Sequence, residues 1–365
     1  MKKTLLFGAL ATCALFSITS CNQPTHKPTN PIKEEITKIE EGLYSMTFRD
    51  DYVEKYIKAG GGDADQDILD FAKANISDDE ILERYQPITS SSLIKDACSS
   101  FNCLNSDNEY IHCRELDLLP LNYQPMFPSI IMHNIPKKGY ESIAFTSFAN
   151  MGMNFTADIN PVEHEQAFKI FELIPIDGIN SAGLAVNIND ISNEKSYVNQ
   201  NEEGKTHITT TILVRLLLNK AKNVDEAIKL IQRYNLHDSD TRTTAYHLMI
   251  SDKSGASCII EFFENKIQII RKAKGDKIIA MTNTEVNENF PQEEGQGSWK
   301  DCPRYKALIE KFNGYDKNIT EDEAIEVLKA ALQNTTTHTI VYNLSKKSVY
   351  FCRSQQWEQM HFFDL

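Results

Sequence analysis

The sequence has eight cysteines but no C-x-x-C pair, and their spacing is scattered. Structural zinc sites draw on closely spaced cysteines, so a zinc site of that kind is not expected. Positive charge is also in deficit: Lys+Arg total 38 against Asp+Glu 51, a net charge of −13, with no basic patch to offset it. Nucleic-acid binding needs a basic face to meet the phosphates, which excludes nucleic acid as a partner. Past the first twenty residues no apolar run is long enough to cross a bilayer. The chain has no internal repeat and no low-complexity domain. With 41% hydrophobic and 24% charged residues over 365 positions, it can bury a full core as one large domain or two.

The N-terminus is patterned for export. Lys2-Lys3 precede an apolar run from Leu5 to Phe16, too short to span a membrane, which ends in Ile18-Thr19-Ser20-Cys21. This resembles a bacterial lipoprotein signal, with residues 1–20 removed and Cys21 lipid-modified. The expected location is outside the cytoplasm, anchored to a bacterial membrane by the lipid alone, on the periplasmic or the surface side. Residues 21–33 are rich in Pro, Thr, Asn and Lys and read as a tether.

Residues 34–97 read as a small helical unit. Ile36, Ile39, Leu43 and Met46 fall at helical spacing, Gly60-Gly61-Gly62 breaks the run, and Asp67 to Ala74 forms another amphipathic piece. Ser77-Asp78-Asp79-Glu80 is a capping box. After Cys98 the texture changes to strands: 101–104 and 109–113 as a hairpin, then 142–148, 168–174 and 184–188. Two helices follow, 208–222 and 224–234, the second entered through Asn223. Strands return at 245–251, 257–263, 266–271 and 277–282, then helices at 304–312 and 320–332, and a last hairpin at 338–342 and 348–352. Strands flanked by paired helices predict an α+β fold of stacked sheets with helices outside.

Cys98 is the residue that carries chemistry. In an exported chain the six cysteines beyond Cys21 are free to form disulfides, for which Cys103, Cys113, Cys258, Cys302 and Cys352 are available in no assignable pairing. A thiolate is a strong nucleophile once a base keeps it deprotonated. The histidines form no local Cys–His signature, which leaves His112 and His247 as candidates by default. The other available base is the cysteine's own α-amino group, whose ordinary pKa of about 8 suits proton transfer at neutral pH. That base exists only if the Ala97–Cys98 bond is cut and Cys98 becomes an N-terminus.

Cys98 followed by Arg114 and Asp117 in "YIHCRELD" resembles the N-terminal-nucleophile (Ntn) amide hydrolases of the choloylglycine hydrolase group. That group includes bile salt hydrolases, penicillin V acylases, acid ceramidase, N-acylethanolamine acid amidase and the penicillin acyltransferases. Their mature chains begin with Cys and carry a G-R-N-L-D-like motif at this distance; here Cys113 and Glu115 replace its Gly and Asn. "DGINSAGLAVNIND", residues 177–190, is similar to the group's N-x-x-G-L-A stretch. "MTNTEV", residues 281–286, resembles its T-N strand end, and "DCPRYKAL", residues 301–308, its later arginine at a helix start.

The resemblance implies a four-layer αββα sandwich over 98–365, preceded by a helical pro-segment, 34–97, that leaves after autocatalytic cleavage. It implies that Arg114 and Asp117 orient Cys98 and its amine. Asn189, with Asn187 as the alternative, and Asn283 become candidate oxyanion donors, because an amide can donate where a carboxylate cannot. Arg304 is carried over as the helix-start arginine. No metal and no cofactor are implied. The expected reaction is hydrolysis of a linear amide in a small-molecule N-acyl amide. The alternatives are acyl transfer to an amine, or an inactive lipoprotein that binds acyl ligands. The apolar stretch 118–131 reads equally as an acyl pocket or as core, and a homo-oligomer is compatible with the sequence.

Overall fold

The computed structural model describes residues 36–75, 97–118, 121–122, 124, 127–151, 167–191, 193–238, 245–288 and 298–365. The leader, Cys21, the tether and the capping box at 77–80 lie outside the described residues. Among the described residues no helix is long and apolar enough to cross a membrane.

The chain opens with strands β1 (Thr37–Glu40) and β2 (Leu43–Phe48), followed by helices α1 (Tyr52–Lys58) and α2 (Asp65–Asn75). The hairpin β3 (Ser99–Leu104) and β4 (Tyr110–Asp117) comes next, then β5 (Ser129–Asn134), β6 (Ser142–Ser147), β7 (Asp177–Asn180), β8 (Leu184–Ile191) and the short β9 (His207–Thr209). Helices α3 (Leu213–Lys220) and α4 (Val224–Ile231) lead to β10 (Asn235–His237), β11 (Ala245–Asp252), β12 (Ser257–Phe263), β13 (Lys266–Arg271) and β14 (Ile278–Met281). Helices α5 (Pro303–Asn313) and α6 (Glu321–Lys329) precede β15 (Thr336–Asn343), β16 (Ser348–Arg353) and β17 (His361–Asp364).

These elements build the expected four layers. A nine-stranded sheet runs β1-β2-β5-β6-β7-β8-β11-β12-β13, and a six-stranded sheet runs β14-β3-β4-β15-β16-β17. Leu43, Ile131, Phe145 and Ile179 of the large sheet meet Ile340, Tyr342, Phe351 and Phe363 of the small one in a core between the sheets. The outer face of the large sheet buries α1, α2, α3 and α4, and that of the small sheet buries α5 and α6. Helices α4 and α6 are fastened at their starts by side-chain caps: Asn223 Oδ1 caps α4 by accepting from Glu226 N at 2.9 Å, and Thr320 and Glu323 close a capping box on α6.

The N-terminal segment departs from the helical expectation. It begins with two strands, and β2 pairs in parallel with β5 inside the large sheet. The reason lies in its two-sided pattern. Leu43 enters the core between the sheets, while Tyr44, Met46 and Phe48 enter the core on the helix side. A strand covered on both faces needs no alternation of polar and apolar residues, and its spacing is easily read as helical. The stretch 168–174 is a 3-10 helix (Ala167–Leu173), not a strand. Its three-residue spacing stacks Phe168 and Phe171 on Phe148, with ring centroids 5.0 and 4.5 Å apart. Residues 208–222 divide into β9, a 3-10 turn and α3. The described part of 118–131 contributes Leu118 to a cleft and its C-terminal end to β5. Among the described residues no disulfide joins any of the six remaining cysteines.

Candidate active site

Cys98 sits immediately before β3, buried to 3% exposure, and lines a small cleft. Three neighbouring elements converge on it because of sheet register. Arg114 lies opposite Ser100 on β4, Met281 at the end of β14 pairs with Ser100 from the other side, and α5 begins close by with Pro303 at its first turn. Arg114, Asn283 and Arg304 are thereby brought to one place from three parts of the chain.

The contacts are specific. The Cys98 backbone N donates to Asn283 Oδ1 at 2.5 Å, and Arg304 Nη2 donates to the same oxygen at 3.0 Å. Asn283 Nδ2 donates to the Asp190 carbonyl at 2.9 Å, so both ends of this amide are fixed by complementary partners. Arg304 Nη1 also donates to the Cys98 carbonyl oxygen and to Ser99 Oγ. On the cleft side Arg114 Nη2 donates to Cys98 Sγ at 3.5 Å and to the Ile188 carbonyl at 2.8 Å.

Arg114 is buried, and a buried charge needs a partner. Asp177 provides it at 2.5 Å, and its carboxylate also accepts from Tyr342 Oη at 2.5 Å and His338 Nε2 at 3.2 Å. Burial alone would raise the Asp177 carboxyl; the Arg114 guanidinium and the bonds from His338 and Tyr342 overcome it and hold the group below the usual carboxylate range. Asp177, His338 and Tyr342 were not legible as site residues. Asp177 reads in sequence as a strand end, and nothing local marks it as a counter-ion.

Asp117 and Glu115 lie on the other face of β4. The Asp117 carbonyl accepts from Ala97 N at 3.1 Å, and its side chain accepts from Thr336 Oγ1 at 2.5 Å. The structure therefore ties Asp117 to the residue before Cys98 through the main chain, with its carboxyl turned to β15. Burial pushes the Asp117 carboxyl up to about 7, and it pushes Glu115 well above the usual range. Neither Glu115 oxygen has a hydrogen-bond partner among the described residues.

Strand alternation also separates the residues of β8. Ile188 and Asp190 line the cleft with Leu116, Leu118, Ile174, Pro175, Thr211 and Tyr246. Asn187 and Asn189 point the opposite way. Asn189 Nδ2 donates to the Thr282 carbonyl at 3.0 Å and its Oδ1 accepts from Asn187 Nδ2 at 2.9 Å, so this amide holds the strand end before Asn283. His247 Nε2 donates to the same Thr282 carbonyl at 2.7 Å, while its Nδ1 lies 3.2 Å from Glu261. His112 spends its ring nitrogens on Asn187 and Ser251, and burial lowers its pKa to about 4. Both histidines are structural partners in this network.

The description of one protein family, acyl-coenzyme A:6-aminopenicillanic acid acyl-transferase, matches residues 173–356, just over half of the chain. The chain belongs to this family. The matched span includes Asp177, Asn189, Asn283 and Arg304 and begins after Cys98, Arg114 and Asp117. A penicillin V acylase of Pectobacterium atrosepticum is 29% identical over 114 residues, an alignment that spans 30% of this chain and only 30% of that relative. Among solved structures, penicillin V acylase from Agrobacterium tumefaciens covers 73% of this chain and 86% of its own at 15% identity, with a TM-score of 0.50. A variant of the conjugated bile acid hydrolase from Clostridium perfringens covers 73% and 92% at 15% identity, with a TM-score of 0.51. The α+β sandwich of this family member is thus the Ntn-hydrolase fold.

Proposed function

We propose that the protein is an Ntn amidase that hydrolyses the linear amide bond of a small N-acyl amide, with Cys98 as nucleophile after cleavage at Ala97–Cys98. The observation that carries this reading is the hold on the Cys98 nitrogen. Asn283 Oδ1 accepts from it at 2.5 Å, oriented by Arg304, while Arg114 approaches the sulfur of the same residue. A structural thiol has no need of a fixed backbone nitrogen; a nucleophile whose own amine is its base does.

Maturation starts with attack of Cys98 Sγ on the Ala97 carbonyl carbon. The peptide C–N bond breaks as the thioester forms, the nitrogen takes a proton, and water then hydrolyses the thioester. The products are the Ala97 carboxylate and the free α-amine of Cys98. In turnover that amine accepts the thiol proton and the thiolate attacks the substrate carbonyl. The amine next protonates the departing nitrogen, and water releases the acyl group as an acid. Arg114 favours the thiolate by its charge. Asn283 keeps the amine aimed. Its Nδ2 serves the oxyanion by exchanging the Asp190 carbonyl for the substrate oxygen, and Asn189 supports it from behind through Thr282. The apolar cleft wall of Leu116, Leu118, Ile174 and Ile188 suits an apolar acyl group.

Cleavage need not release the N-terminal segment. β2 is an interior strand, and burial of Leu43, Tyr44, Met46 and Phe48 contributes about 1.5–3 kcal/mol for each side chain. Lys220 on α3 adds ion pairs to Asp51 and Glu54. The N-terminal piece, with a lipid on Cys21, then holds the catalytic piece at a membrane outside the cytoplasm.

The test is a panel of acyl amides: bile acid conjugates, penicillin V, N-acylethanolamines, ceramides and N-acyl amino acids. Release of free acid by the cut protein and none by Cys98→Ala supports the reading; an equally active Cys98→Ala protein refutes it. The family match favours acyl transfer as the second reading. An added amine acceptor that yields a new amide in place of the acid would select it.

A further inference from the structure

A second cluster of ligating side chains lies where the N-terminal segment meets the rest of the molecule. Asp63, His207 and His237 each offer one ligand atom, and these atoms lie within 4.8 Å of one another. His207 and His237 come from the paired strands β9 and β10, and Asp63 from the loop between α1 and α2. The three are graded from buried His237 through half-buried His207 to exposed Asp63, so the cluster opens to solvent on the Asp63 side.

Its parts are held ready. His237 Nδ1 faces Asn199 Oδ1 at 2.8 Å, which assigns the ring proton to Nδ1 and leaves a lone pair on Nε2. An outer oxygen of this kind orients most metal-binding histidines. That Nε2 lies 2.8 Å from His207 Nδ1. The Asp63 loop is pinned as well. Gly62 N donates to the His207 carbonyl at 2.9 Å, and Asp67 Oδ2 accepts from both Asp63 N and Ala64 N at 3.0 Å. Gly61 has φ +68°, and a Cβ there would fall 2.1 Å from the His207 carbonyl oxygen, so glycine is what lets the loop lie this close to β9.

We propose that Asp63, His207 and His237 bind one divalent transition ion of the zinc type, and that this ion fastens the N-terminal segment to the catalytic unit. Two imidazoles and a carboxylate are a common donor set for such ions, with a further position left to water. Zinc–ligand distances of about 2.0–2.2 Å require the two ring nitrogens to separate by roughly 0.5 Å, with His207 protonated at Nε2 in the loaded state and its long contact with Asn235 Nδ2, 3.4 Å here, given up. The following carboxylate, Asp65, accepts from Thr211 Oγ1 at 3.1 Å, and Thr211 lines the Cys98 cleft. The ion therefore steadies one wall of that cleft. The site itself is independent of the chemistry at Cys98; its role as a clamp across a cut chain rests on the cleavage proposed above.

The experiment uses the full exported chain carrying Cys98→Ala, which removes the reactive thiol and stays uncut. After chelator treatment it is titrated with Co²⁺ and then Zn²⁺, followed by absorbance and calorimetry. One ion per chain is expected, with a cobalt spectrum that lacks thiolate charge transfer. His207→Ala and His237→Ala should each weaken binding at least tenfold, and Asp63→Ala should weaken it measurably. Asp63 is exposed, so its variant serves where a histidine variant fails to fold. Absence of binding to the folded parent, or unchanged affinity in Asp63→Ala and either histidine variant, would overturn the site. In the cut wild-type protein, Zn²⁺ should raise the urea concentration that separates the two pieces, and Asp63→Ala should abolish that shift. An ion that binds without this shift would overturn the clamp and leave the cleavage untouched.

Discussion

The two faces of β4 solve the same physical problem in opposite ways. On the cleft face Arg114 is buried with a full charge, and Asp177, itself supported by Tyr342 and His338, compensates it. On the other face Glu115 and Asp117 are equally buried, and burial pushes both carboxyls up, Glu115 well above the usual range and Asp117 to about 7. One face stores an ion pair beside Cys98; the other holds two carboxyls whose ionisation burial opposes. Charge is compensated on the Cys98 side and disfavoured one residue away.

Substitutions at these positions should separate the two faces. Arg114→Leu leaves Asp177 buried without its cation and should cost about 3–5 kcal/mol, with loss of cleavage, read by urea unfolding and by mass. Asp177→Asn removes the anion and should destabilise by a similar mechanism, with the larger loss at neutral pH than below the usual carboxylate range. The Asp177 pKa is depressed, so its contribution is present above the unfolded value and disappears as pH falls through the folded one.

Asp117 has the opposite sign. Its folded carboxyl titrates at about 7 against about 3.9 unfolded, so its neutral form favours the fold at low pH and that advantage is lost as pH rises between those values. Asp117→Asn should flatten stability across that window. The smallest effect is expected for Glu115→Gln, a neutral group replacing a neutral group. Its stability should stay within about 1 kcal/mol of the parent, with cleavage retained. A Glu115→Gln protein as damaged as Arg114→Leu would erase the distinction between the faces.

The elements that carry the candidate site were legible because they are punctuated locally, while Arg114, Asn283 and Arg304 themselves were singled out by the family resemblance. The β3–β4 hairpin is framed by its Asn-Ser-Asp-Asn turn, Arg304 by Pro303 at the helix start, and Asn283 by the end of a strand. The convergence of Arg114, Asn283 and Arg304 on Cys98 depends on register, which those signals respect. What was not legible depends on partners far away in sequence. Asp177 becomes a counter-ion only when β7 faces β4 and β15. Asn189 is turned away from the cleft and Asp190 toward it by a one-residue choice of face, which the amide chemistry of Asn189 cannot reveal. β2 was read as helix because both of its faces are covered, and β5 was overlooked within an apolar stretch. The cluster at Asp63, His207 and His237 joins three separate segments and leaves no motif.

The central claim is that Cys98 becomes an N-terminus. Intact-mass analysis with N-terminal sequencing of the exported protein tests it most directly. The expected result is a catalytic piece beginning at Cys98, an N-terminal piece ending at Ala97 that co-purifies with it, and a single uncut chain in Cys98→Ala. An amidase-active preparation consisting only of chain uncut at Ala97–Cys98 would contradict the account.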